Sequence, residues 1–207
     1  VERTHKKFSQ QWATTQNNRG YVLRDLGART GGKEGEKLLW AAMAAYDSAL
    51  IVRIRTRKDR PQQWADTQNN RGVVLGDLGI RTDGEERVKL LKDARTAYDS
   101  ALVVRTRKLL PQQWAATQNN LGNVLRDLGT RAAGEERAKL LQAAVAAYYS
   151  ALQVRTFESL PIEWAQTQNN LIYLYHEVLF HFSEAFAVNQ QLAARLSNDR
   201  SAQCGIV

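Results

Sequence analysis

The chain has 207 residues, a net charge of +8, 43% hydrophobic and 24% charged residues, a balance that suits a soluble folded protein. No apolar stretch reaches the ~18 residues of a membrane span, the start VERTHKKFSQ lacks the apolar core of a signal peptide, and three prolines with no low-complexity run exclude long disordered linkers. The single cysteine, Cys204, cannot form an internal disulfide and fits a reducing, cytoplasmic setting; with no initiator Met, the sequence reads as a piece of a longer chain.

In chain order, one helix is written four times. It opens at Ser9 as SQQWATTQNNRGYVLRDLG, returns at Pro61 as PQQWADTQNNRGVVLGDLG and at Pro111 as PQQWAATQNNLGNVLRDLG, and starts again at Pro161 as PIEWAQTQNNLIYLYHEVL. Trp12, Trp64, Trp114 and Trp164 mark the register, with separations of 52, 50 and 50 residues. Self-similarity at this period means stacked supersecondary units, each leaning on its neighbours. Within the copy at Pro61, Trp64, Ala65, Gln68, Gly72, Leu75 and Leu78 recur every three to four residues, the helical period. Pro61 suits the first turn, and Gly79 suits the residue past the end.

A second helix follows in each unit. Leu90, Leu91, Ala94, Ala97, Tyr98, Ala101 and Leu102 make one apolar stripe. Asp83 and Glu86 have the spacing of a capping box at its start. Arg105, Arg107 and Lys108 are expected at its C-terminal end, where the helix dipole favours cations. Gly20, Gly72 and Gly122 lie inside first helices, each at a propensity cost of about 1 kcal/mol, which implies close helix packing. No strand pattern occurs. The expected architecture is all-α, with units at 9–60, 61–110, 111–160 and an altered 161–196, then a tail at 197–207. The opening ERTHKKFSQQW matches the end of a second helix.

Two motifs carry a family resemblance: Leu121, Gly122 and Leu125 in the first helix, and Ala144, Tyr148, Ala151 and Leu152 in the second, followed by Pro161. Together they resemble the tetratricopeptide repeat in a lengthened form, similar to the repeats of kinesin light chains and related bacterial signalling proteins. The usual period of that family is 34 residues. The surplus here is assigned to an extra turn before each first helix and a longer inter-helix segment. The fourth copy departs further, with Ile172 in the glycine position and Ala185 in the alanine slot of a shorter repeat. The resemblance implies a right-handed α-solenoid whose first helices line the concave wall.

No catalytic constellation is present. His176 and His181 are five residues apart, a poor spacing for one metal on one helix face. Glu85, Glu86, Glu135 and Glu136 read as helix-start charges. No phosphate loop, nucleophile elbow or Cys/His cluster occurs, so neither enzyme activity nor a cofactor is expected. The four tryptophans are in phase with the apolar face and are expected in the core.

Asparagine is a mediocre helix former, so a repeated pair needs a reason. The pairs are Asn17-Asn18, Asn69-Asn70, Asn119-Asn120 and Asn169-Asn170. Adjacent helical residues point ~100° apart, so each pair serves two directions. Either the amides form a buried ladder between helices, or they line a groove. The resemblance implies peptide contact for the second of each pair, Asn18, Asn70, Asn120 and Asn170; Asn17, Asn69 and Asn119 stand open between the two readings. Tyr21, Arg24, Asn123, Arg126 and Tyr173 are expected to face the same groove and select side chains. Arg19 and Arg71 replace Leu121 and Leu171, which makes one end more basic. The expected partner is a protein or an acidic peptide. The second reading is a mainly structural or self-associating array, a spacer or sensor arm of a larger signalling protein, whose apolar fourth unit (Ile172, Tyr173, Leu174, Tyr175, Val178, Leu179, Phe180, Phe182, Phe186) is expected to contact another chain or a following segment. Nucleic-acid binding is the third, through a basic edge of Lys6, Lys7, Arg53, Arg55, Arg57, Lys58, Arg60, Arg105, Arg107 and Lys108, and is disfavoured because the aromatics are assigned to the core.

Overall fold

The computed structural model describes residues 2–178, with side chains from Ser9 onward. Its helices are α1 (Glu2–Arg29), α2 (Gly32–Arg55), α3 (Pro61–Arg81), α4 (Gly84–Leu102), α5 (Pro111–Gly129), α6 (Gly134–Leu152) and α7 (161–178). No strand occurs among the described residues, and no helix is long and apolar enough to cross a membrane. Consecutive helices pack as antiparallel pairs. α1 packs on α2, α3 on α4 and α5 on α6, while α2 also packs on α3 and α4 on α5. First helices touch across the unit boundary, α1 with α3 and α3 with α5, whereas α2, α4 and α6 do not touch one another.

The recurrent glycines account for the closeness of each pair. A methyl group built on Gly20, Gly72 or Gly122 would lie 2.8, 2.7 or 2.6 Å from the ring of Tyr46, Tyr98 or Tyr148. Those rings are buried, so only hydrogen fits at the three positions. Tyr98 belongs with Leu75, Leu78, Leu90, Leu91 and Ala94 to one continuous core shared with the neighbouring units. Burial pushes the Tyr46 hydroxyl up to about 12 and raises Tyr98 and Tyr148 as well.

Gly76 is different. A methyl group there would meet only a Val124 side-chain carbon at 3.8 Å, an ordinary contact. Gly76→Ala should therefore stabilise the protein by roughly 0.5–1 kcal/mol through helix propensity alone; a lowered denaturation midpoint would show that α3 needs its glycine there.

Four local expectations change. α1 begins at Glu2, ahead of the boundary set at Ser9. Gly79 lies inside α3, which continues to Arg81, and packs against Leu91. The Asp83–Glu86 capping box does not form: Asp83 makes no cap hydrogen bond. Its carboxylate pairs instead with Arg87, 2.9 Å away, whose Nε donates to the Thr82 carbonyl. Trp12 is 46% exposed, because no described helix precedes α1. Trp64 is buried, and Trp114 and Trp164 are half-buried. Glu85, Glu86, Glu135 and Glu136 do occupy the first turns of α4 and α6. Ala185 and the tail at 197–207 lie outside the described residues.

Candidate functional site

The threonine of each TQNN stretch is fully buried: Thr67, Thr117 and Thr167. Each accepts a hydrogen bond from a buried arginine at the end of the preceding second helix or just past it. Arg53 Nη1 donates to Thr67, Arg105 Nη1 to Thr117 at 2.8 Å and Arg155 Nη1 to Thr167 at 3.0 Å. The Thr67 hydroxyl lies 3.1 Å from Asn17 Oδ1, and that of Thr117 lies 3.0 Å from Asn69 Oδ1. Each hydroxyl is also within reach of a carbonyl one turn earlier, Gln63 or Gln113, and has one proton for the two acceptors. At the third junction Asn119 Oδ1 accepts instead from Asn170 Nδ2 at 3.1 Å. Asn17, Asn69 and Asn119 thus act as struts between units.

This relay removes Arg53 and Arg105 from the basic edge. Both are buried, because groups from two neighbouring helices draw them inward. Asp66 of α3, in the same unit, pairs with Arg105 at 2.8 Å. Arg53 and Arg155 have no such close carboxylate; burial holds both below the usual arginine range, with Asp66 and Glu163 partly offsetting it. Sequence reasoning missed Thr67, Thr117, Thr167 and Arg155. The signal was present in the recurrence of VRT before each of the last two prolines and of TQNN after Trp12, Trp64, Trp114 and Trp164.

The second asparagines fall differently. Asn18 is exposed and Asn120 half-buried, and neither side chain makes a hydrogen bond among the described residues. Asn70 Oδ1 accepts from Asn69 Nδ2 at 3.4 Å, leaving its own amide protons unused. Asn170 spends a donor on Asn119. Asn169, at the open end of the row, is exposed.

The side-chain selectors also divide. Tyr21 and Tyr173 are exposed. Asn123 Oδ1 accepts the Tyr148 hydroxyl at 2.8 Å. Arg24 bridges α1 to α3 through Asp77 at 2.7 Å. Burial opposes its charge, but the carboxylate outweighs burial and raises its pKa. Arg126 sits over the Tyr173 ring at 4.9 Å, joining α5 to α7, and bonds Asp127 at 2.9 Å. Arg71 pairs with Asp47 at 2.7 Å. Arg24, Arg71 and Arg126 therefore meet matching carboxylates, whereas Arg19 is exposed and makes no ion pair among the described residues. Leu174 of the fourth unit is buried within the chain, while Ile172, Tyr173 and Tyr175 are exposed; Leu179, Phe180, Phe182 and Phe186 lie outside the described residues. No group of three or more His, Cys, Asp or Glu among the described residues could hold a metal. The chain matches no protein-family model, no curated protein and no solved structure.

Proposed function

We propose that this chain is a non-catalytic protein-interaction module, a right-handed tetratricopeptide-like solenoid that holds an extended peptide segment along its row of first helices. One observation carries the reading. In the first three asparagine pairs, one side chain is spent on the neighbouring unit, while Asn18, Asn70 and Asn120 keep unused hydrogen-bonding groups. An amide can donate and accept at once, which matches a peptide backbone whatever its side chains. The first helices touch while the second helices stand apart, which supports a concave wall along α1, α3, α5 and α7. Because Arg24, Arg71 and Arg126 already have carboxylate partners, the wall favours backbone recognition, with Tyr21 and Tyr173 as apolar selectors, over capture of an acidic partner by charge alone.

The test is a peptide selected against the wild-type protein from a random display library. Asn70→Ala combined with Asn120→Ala should weaken its binding roughly ten- to a hundredfold with little change in melting, since each net hydrogen bond contributes about 0.5–1.5 kcal/mol. Asn69→Ala should instead lower the melting temperature. Unchanged affinity in the double variant, or its unfolding, would assign the second asparagines to the scaffold.

A further inference from the structure

The three joints that hold a buried arginine differ in one respect. Arg53, Arg105 and Arg155 are all buried, and each gives Nη1 to the threonine of the next unit. At the middle joint Arg105 Nη2 also donates to Asp66 Oδ1 at 2.8 Å. One unit earlier the residue in the place of Asp66 is Thr14, and one unit later it is Ala116. Neither carries a charge, and the Thr14 hydroxyl is turned back on the Gln10 carbonyl at 3.0 Å. Nη2 of Arg53 and of Arg155 makes no hydrogen bond among the described residues, and no described carboxylate pairs with either guanidinium.

A buried guanidinium without a counter-ion is costly, because the lost hydration is not replaced. Burial opposes the charge of Arg53 and Arg155, and the fields of Asp66 and Glu163 offset it only in part. Nε is not where the joints differ, since it is buried without a partner in Arg105 as in Arg53. The difference lies at Nη2, and the middle joint shows what that atom takes: a negatively charged oxygen in a charge-assisted hydrogen bond. The Asp66 side chain is 47% exposed, so this place opens to water. Nη2 of Arg53 and of Arg155, unlike Arg53 Nε, is not sealed from solvent. An ion can therefore reach it without any helix moving.

We propose that Arg53 and Arg155 each hold a small monovalent anion, chloride or a carboxylate, on Nη2, in the place that Asp66 fills for Arg105. The anion completes the first and third joints as the aspartate completes the second. Because it binds the folded joint and not the unfolded chain, it stabilises the array by mass action. The site is separate from the second asparagines, so a failure of one reading leaves the other standing.

Chloride NMR linewidths and urea unfolding of the whole chain test it, with ionic strength held constant by a bulky sulfonate. The wild type should broaden the chloride signal, and its urea midpoint should rise with chloride. Thr14→Asp with Ala116→Asp gives both joints a carboxylate of their own. That variant should lose the broadening and the chloride dependence, and in chloride-free buffer it should unfold at a higher urea concentration than the wild type. Asp66→Ala makes the middle joint like the other two, so the broadening should rise by about half, three sites against two. Acetate in place of chloride separates the two sources. Stabilisation at lower concentration by acetate assigns the sites to a carboxylate, and by chloride to the free ion. A chloride response that is the same in all three proteins is general salt action and overturns the proposal. So does a double aspartate variant that is no more stable than the wild type without chloride, which holds even where Asp66→Ala fails to fold.

Discussion

Trp64→Ala should lower stability by about 3–5 kcal/mol, whereas Trp12→Ala should cost a small fraction of that. The two residues hold the same position in consecutive copies of one helix, so the contrast isolates packing from local propensity. Trp64 clusters with Ala65 and with Ala101 of α4; Leu50 of α2 and Val104 pack against it. The Arg57 guanidinium carbon lies 3.9 Å from its ring centroid, adding a cation–π contact worth about 0.5–1 kcal/mol. Truncation removes this apolar area and leaves a cavity at the joint between two units, the circumstance in which large-to-small changes cost most. Trp12 is 46% exposed and leaves no such cavity. Urea denaturation of the two single variants checks the difference. Equal effects would mean that the tryptophan acts within its own helix.

Tyr98→Ala should cost a comparable 3–5 kcal/mol, and it should change what Gly72 tolerates. In the wild-type background Gly72→Ala drives a methyl group to 2.7 Å from a ring carbon. Tyr98 is buried in the shared core and has little room to give, so overpacking should destabilise by roughly 1–3 kcal/mol. With the ring deleted, the same substitution should become neutral or stabilising, because only the helix-propensity gain of about 1 kcal/mol remains. A double-mutant cycle measures the difference directly as a coupling energy. Additive effects would place the cost of the alanine elsewhere than the Gly72–Tyr98 contact.

The helices were legible because their pattern depends on neighbours a turn apart. The 3.6-residue stripe, Pro61 and Pro111 at the first helical position, and glycine facing tyrosine in every complete pair are local or recurrent signals. The division of labour within each asparagine pair was not legible. Periodicity places Asn69 and Asn70 about 100° apart, but which of them meets the neighbouring unit depends on how far that unit is rotated. In the orientation found, Asn69 meets Thr117, 48 residues on, which Arg105 holds in turn. The burial of Arg53 and Arg105 was hidden for the same reason. A cation beside a helix end normally lies in water, and only groups from two other helices make an interior position tolerable. Trp12 failed in the opposite sense: its helix carries the interior pattern, and the exposure comes from its place at the end of the described array.

The arginine–threonine–asparagine relay has a consequence for how such a chain can change its length. At successive joints the residues that interlock come from corresponding positions: Arg53, Thr67 and Asn17 at one, Arg105, Thr117 and Asn69 at the next. Removing the whole of 61–110 would bring Arg53 and Asn17 against Thr117, with a threonine in the same helical position as the one lost. Inserting a further copy would create a joint already specified on both sides. A slip of a few residues, by contrast, would leave an arginine buried without its hydroxyl, at a cost of several kcal/mol. Gain and loss of segments in this sequence are therefore quantised at about fifty residues, and the polar relay sets the quantum more strictly than the apolar core, which would accept many registers.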